Sequence, residues 1–161
     1  MKIKAFVFLP GAALACAYSI PFSAVQAAEQ NAGQSPPLRV LFLGDNGHHR
    51  PADRFKQLEP VLRRHRVELD YTDSLDDLNR AKLAGYDCLI IYANWTGIAP
   101  EQEKTLFDFV EAGGGVVPLH CASYCFLNSP KYIELVGGQF KSHGTGVFKE
   151  TIVNPGHPVL K

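Results

Sequence analysis

The sequence predicts an α/β domain, doubly wound around a mostly parallel sheet. Three observations carry the prediction. Short apolar runs recur at residues 38–43, 67–71, 88–93 and 116–119, and the first is nearly continuous, the form of a strand buried on both faces. Between them lie stretches whose apolar residues repeat at helical spacing. The resulting order, β-α-β-(α)-β-α-β-α, calls for crossover connections, which make neighbouring strands parallel.

The elements follow in chain order. Lys2 and Lys4 precede a chargeless stretch from Ala5 to Ile20, and Val25-Gln26-Ala27 offers small residues at the positions a signal peptidase reads, so residues 1–27 are expected to be a secretory signal peptide. The apolar part is broken by Pro10-Gly11 and is shorter than the roughly 20 residues a spanning helix needs. Two alternatives are an uncleaved membrane anchor and a lipid on Cys16, which follows Ala13-Leu14-Ala15. Residues 28–37, polar with Gly33, Pro36 and Pro37, read as a flexible tether. The run 38–43 is the first strand, ending in Gly44-Asp45-Asn46-Gly47. Phe55, Leu58, Val61 and Leu62 give a covering helix over 53–65, with Asp53 near its start. After a second strand at 67–71, residues 75–83 read as one short polar helix, and 88–93 as a strongly apolar third strand. Pro100, Glu101 and Glu103 mark the start of a helix that buries Leu106, Phe107, Phe109 and Val110 and stops at Gly113-Gly114-Gly115. In the fourth strand, 116–119, Pro118 must sit where its missing N–H does not matter. A short helix over 130–136 precedes a loop at 137–146.

Composition bounds the function. With 161 residues there is room for one domain, and 46% hydrophobic against 20% charged residues is an ordinary globular balance. Sixteen basic residues face sixteen acidic ones, with no run of five like charges, so nothing recommends a nucleic acid as partner. A small neutral or weakly charged ligand is the default. Cleavage after Ala27 would leave Cys88, Cys121 and Cys125, an odd number and no disulfide scaffold.

Sheets of this kind bind ligands outside the carboxyl ends of their strands. Asp45, Asn46, Gly47, His48, His49 and Arg50 follow the first strand, Asn94, Trp95 and Thr96 the third, and His120, Cys121, Ala122, Ser123 and Tyr124 the fourth. If the first of these loops is extended, His48 and His49 point apart and one of them faces the crevice. Trp95, flanked by Asn94 and Thr96, suits either core packing or stacking against a sugar ring. Lys141-Ser142-His143-Gly144 lies in a later loop that could fold over the same edge. Asp45, one of His48 and His49, His120 and His143 would form an oxygen and nitrogen ligand set for a divalent metal such as zinc or manganese, although no spacing fixes their distances. Cys121 stands between a strand and a helix, where an α/β enzyme can present a nucleophile, but Leu119 and Ser123 supply only half of the small-residue flanks such an elbow requires. No dinucleotide fingerprint is present, since Gly113-Gly114-Gly115 precedes a strand and not a helix.

Several segments together resemble the ThuA-like (trehalose-utilization) family: residues 38–44 with the His48-His49 loop, Tyr86-Asp87 before an apolar strand, residues 109–115, Leu119-His120-Cys121-Ala122-Ser123, Gly137-Gly138-Gln139-Phe140 with His143, and Pro155-Gly156-His157-Pro158. The resemblance spans about residues 38–161. It implies a flavodoxin-like, three-layer sheet related to class I glutamine amidotransferases, a role in carbohydrate metabolism, and a histidine-lined pocket for a disaccharide or keto-sugar. It also implies that the amidotransferase Cys–His–Glu apparatus is not kept, and that the family domain continues beyond Lys161, so that residues 38–161 are expected to be the amino-terminal portion of a truncated domain. On this reading the chain is exported, periplasmic or secreted. His120 and His48, oriented by Asp45, are the candidate acid–base groups, and His49, Asn94, Trp95, Tyr124 and His143 the candidate sugar contacts. A non-catalytic sugar-binding or interaction module of a larger exported protein and a Cys-dependent hydrolase stand as alternatives. A homo-oligomer, and further domains in a longer parent protein, are compatible with each.

Overall fold

The structure, a computed structural model, describes residues 35–147 and 149–160. The expected leader, Cys16 and the tether up to residue 34 lie outside the described residues. Among the described residues no helix is long and apolar enough to cross a membrane.

Four strands, β1 (Leu38–Leu43), β2 (Val67–Thr72), β3 (Cys88–Ile91) and β4 (Gly115–Pro118), form one sheet in the order β2-β1-β3-β4. Every pairing is parallel: Leu38 stands opposite Val67, Val40 opposite Cys88, and Cys88 opposite Gly115. The connecting helices are α1 (Pro51–Arg63), α2 (Arg80–Leu83), α3 (Pro100–Glu111) and α4 (Pro130–Val136). Short 3₁₀ turns occupy Leu75–Asp77, His120–Tyr124 and Pro158–Leu160. From β1 the chain steps outward to β2 and then crosses back to β3 on the other side. The strand order therefore reverses between β1 and β3, which is where a flavodoxin-like sheet opens its ligand crevice.

Both faces of β1 are covered, which is why its apolar run is nearly continuous. Val40 and Phe42 point to one face, where Leu69, Ile90 and the α1 residues Phe55, Leu58 and Leu62 complete a core. There the Phe42 ring meets Phe55 edge-on at 6.0 Å and Tyr92 at 6.2 Å. Leu41 and Leu43 point to the other face, into a larger core with Leu89, Ile91, Leu106 and Tyr132. The result is three layers.

Local chemistry sets the boundaries. α1 begins at Pro51, two residues before the expected Asp53, because proline fits the first helical position and Arg50 turns the chain into it at φ 54°. The helix expected over 75–83 is divided in two. Ser74 caps the first 3₁₀ turn, and Asn79, in extended conformation, accepts a bond from the Lys82 N–H at 2.9 Å, so each polar side chain starts a new turn in place of continuing the old one. Ser129 caps α4 through the Tyr132 N–H at 3.0 Å, and Gly137 ends it at φ 84°. In β4 it is the Leu119 N–H that bonds to Ile91, so the nitrogen of Pro118 faces the side of the strand that pairs with nothing among the described residues. Proline costs no ladder bond there.

Candidate functional site

The crevice at the switch point is laced by side chains from the two strands that flank it. Asp45, two residues beyond β1, turns one carboxylate oxygen back to the Gly47 N–H at 2.7 Å and the other across to the Asn94 N–H, beyond β3, at 2.5 Å. Trp95 adds a second tie, its indole N–H donating to the Gly44 carbonyl at 2.9 Å. In the orientation that satisfies its surroundings, the Asn94 amide nitrogen donates to the carbonyls of Ala93 at 3.2 Å and Cys121 at 3.3 Å, joining the end of β3 to the turn after β4. Asp45 thus makes hydrogen bonds to backbone amides and none to a histidine, and the half-buried Trp95 packs against the larger core.

Three imidazoles stand over this clasp. The segment 46–49 is a turn and not an extended strand, so His48 and His49 do not diverge as expected; their ring centres lie 4.0 Å apart. His49 meets His120 edge to face at 4.8 Å, and His120 stacks on Tyr92 at 5.9 Å and 26°. His49 is half-buried, while His48 and His120 are exposed. Burial pushes the His49 imidazole below its ordinary titration range, as do His48 and His120 beside it, with Asp45 opposing. His120 sits at φ 47°, a left-handed conformation unusual for a side-chain-bearing residue. It is the first residue of the 3₁₀ turn, two positions beyond β4, near the place at which an α/β fold lifts a reactive group clear of its sheet.

The remaining candidates gather elsewhere. Tyr124 meets Phe140 at 6.1 Å, Phe140 meets His143 at 5.5 Å, and His143 bonds through Nδ1 to the Gly144 carbonyl at 2.9 Å. This aromatic chain is tied to the 3₁₀ turn by the Phe140 N–H donating to Ser123 O at 3.0 Å. It forms no ring contact with the three clustered imidazoles. Accordingly, the four-ligand set of Asp45, a loop histidine, His120 and His143 is not assembled: among the described residues no three His, Cys, Asp or Glu side chains are placed to hold a metal ion.

The loop after β3 is bonded to the segment after the 3₁₀ turn. The Asn128 amide donates to Ile98 O at 2.9 Å and accepts from Ile98 N at 3.0 Å, while the N–H groups of Phe126 and Leu127 donate to Trp95 O at 2.7 Å and Thr96 O at 2.9 Å.

The thiols are built into the core. Cys121 and Cys125 are buried, and Cys125 donates to Ala93 O at 2.8 Å. Burial, with Asp45 adding to it, pushes the Cys121 thiol up to about 11, and burial raises Cys125 to about 12. A nucleophilic cysteine needs the opposite environment, an exposed site that favours the thiolate.

Sequence reasoning missed Tyr92, which stacks on His120, and Tyr71, whose hydroxyl donates to Asp45 O at 3.4 Å. The available signal was position, since Tyr92 is the first residue beyond β3.

The family model for ThuA, trehalose utilisation, matches residues 39–161. Two solved structures share the fold: a ThuA-like protein from Bacteroides uniformis ATCC 8492, with 20% identity and a TM-score of 0.54 over 67% of this chain and 46% of that one, and a ThuA-like protein from Parabacteroides merdae ATCC 43184, with 19% identity and a TM-score of 0.51 over 60% and 37%. The chain spans less than half the length of either. No curated protein matches it. With a parallel sheet ordered β2-β1-β3-β4, a histidine cluster at its switch point and a family match from the first strand to the last residue, the chain belongs to the ThuA trehalose utilisation family.

Proposed function

We propose that this chain belongs to an exported protein of carbohydrate metabolism that acts on a small sugar, a disaccharide or its keto form, at the carboxyl edge of the sheet. Export rests on the leader-like residues 1–27, and the sugar on the family. The observation that carries the reading is the edge-to-face pair of His49 and His120 at 4.8 Å, with His120 held at φ 47° beside the switch point. A neutral imidazole is a base at physiological pH. With its titration lowered by burial and by His48 and His120, His49 is suited to accept a proton from a sugar hydroxyl or from the carbon beside a keto group. His120, exposed and adjacent, is placed to return one. The thiol route is set aside, since burial raises Cys121 to about 11.

The test is turnover and binding measured together on trehalose and its keto form. Replacing His120 or His49 by alanine should abolish turnover while the dissociation constant changes little. Turnover that survives both substitutions would refute the assignment.

One observation favours a second reading, a non-catalytic sugar-binding module. The hollow at this edge, about 240 Å³, is lined by Asp45, Asn46, Gly47, Arg50 and the first residues of α1 and by none of the three histidines, so a ligand held there would lie apart from the acid–base groups. That reading predicts saturable sugar binding with no turnover to lose.

A further inference from the structure

A second groove, of about 520 Å³, opens at the opposite edge of the sheet. It is lined by Tyr86 and Asp87 just before β3, Gly113 and Gly114 just before β4, and facing residues of α2 and α3. The histidines stand at the carboxyl ends of the strands, so this groove at the amino ends is a separate place. Its size lies within the roughly 300–1,000 Å³ typical of small-molecule sites.

Its walls are fixed before any ligand arrives. The Phe109 ring lies against Gly114, where an added Cβ would stand 2.4 Å from the ring atoms; the glycine is what lets the ring rest on the turn. Tyr86 is held from both ends, its hydroxyl donating to Asp70 at 2.9 Å and the Arg39 guanidinium lying 5.2 Å from its ring centre. Arg80 and Asp108 meet at the rim at 3.2 Å, and Lys104 holds the same carboxylate at 2.7 Å. The lining holds one cation, Arg80, and two carboxylates, and both carboxylates are already engaged, Asp108 by Arg80 and Lys104 and Asp87 by the Arg39 backbone N–H at 2.8 Å.

Aromatic side chains, carboxylates that are already paired and a donor beside an acceptor suit a neutral ring with one apolar C–H face and hydroxyls at its edge. An anionic ligand would meet the carboxylates, and a purely apolar one would strip water from Arg80 and Asp108 without replacing its bonds. We propose that this groove is a second ligand site, which takes a neutral saccharide ring between Phe109, Tyr86 and the Arg80–Asp108 pair. It stands independently of the activity proposed at the histidine cluster.

The experiment is a nitrogen-15 NMR titration of the full chain with trehalose and, separately, glucose. The amides of Thr105, Gly113 and Gly114 should shift saturably with at least one of the two sugars, and do so equally in His120→Ala. Ala112→Trp fills the groove from an exposed position, and Asp108→Ala removes the rim acceptor without touching the core. Each should weaken the response by about tenfold or more, the worth of one charged hydrogen bond. No shift at these amides with either sugar, or a shift that survives both groove variants, would overturn the proposal. A shift abolished by His120→Ala alone would assign the binding to the histidine edge and overturn it equally.

Discussion

Asp45 offers the sharpest test of how the switch point is held. Its two carboxylate oxygens accept from Gly47 at 2.7 Å and Asn94 at 2.5 Å, and the second of these bonds joins the loops after β1 and β3. Asp45→Ala removes both acceptors. The exposed Gly47 amide can turn to water, so its loss costs about 0.5–1 kcal/mol. The Asn94 amide is half-buried and is left unpaired, a cost of about 1–3 kcal/mol. The total is about 1.5–4 kcal/mol. With a urea slope of about 2 kcal/mol/M, the unfolding midpoint should fall by about 0.7–2 M. Asp45→Asn keeps one oxygen and should lose about half as much. Native-state hydrogen exchange adds a local readout, because the Asn94 amide should exchange faster in Asp45→Ala while the Leu43 ladder stays protected. A midpoint moved by less than about 0.3 M, or unchanged exchange at Asn94, would refute the clasp.

Other expectations follow from the same geometry. Because burial and neighbouring imidazoles lower the His49 titration, the unfolded chain binds more protons than the native one between the lowered value and the ordinary value near 6.5. Stability is then complete above that ordinary value and is lost as pH falls below it, so a melting scan from pH 7.5 to 5 should decline, and decline less in His49→Gln. At His120, where φ is 47°, glycine relieves the left-handed strain that alanine retains, and His120→Gly should exceed His120→Ala in stability by roughly 1 kcal/mol in denaturant titration. Leu106, fully buried in the larger core, should cost about 2–5 kcal/mol on replacement by alanine. Iodoacetamide at neutral pH should leave Cys121 and Cys125 unmodified in the native protein and label both in urea, as mass spectrometry would record.

The inner strands β1 and β3 were legible because burial on both faces forces a continuous apolar run, and β1 matches its expected bounds residue for residue, whereas β2, at the sheet edge, alternates. The edge that would carry chemistry was legible for the same reason, since strand ends define it. Side-chain bonding was harder to read. Nothing in Asp45-Asn46-Gly47 reveals that the carboxylate reaches Asn94, forty-nine positions away, and a turn at 46–49 reverses the expected divergence of His48 and His49. The division of residues 75–83 depends on Asn79 choosing its own cap over the helix, a local competition that periodicity cannot resolve. Tyr92 reads in the sequence as one more residue of an apolar strand, although its ring is what His120 stacks on. The amino-edge groove is assembled from α2, α3 and two turns, none of which is distinctive alone.

The bonds from Trp95, Thr96 and Ile98 to Phe126, Leu127 and Asn128 bear on how such a protein could diverge or be redesigned. Loops at the carboxyl edge of an α/β sheet are ordinarily exchanged one at a time, each carrying its own contribution to specificity. Here the loop after β3 supplies the backbone partners of the segment after β4, with one carboxamide reading both polar groups of Ile98. A graft of either loop alone would orphan the other's hydrogen bonds. New specificity at this edge therefore has to be transplanted as a matched pair of segments, inherited or engineered together.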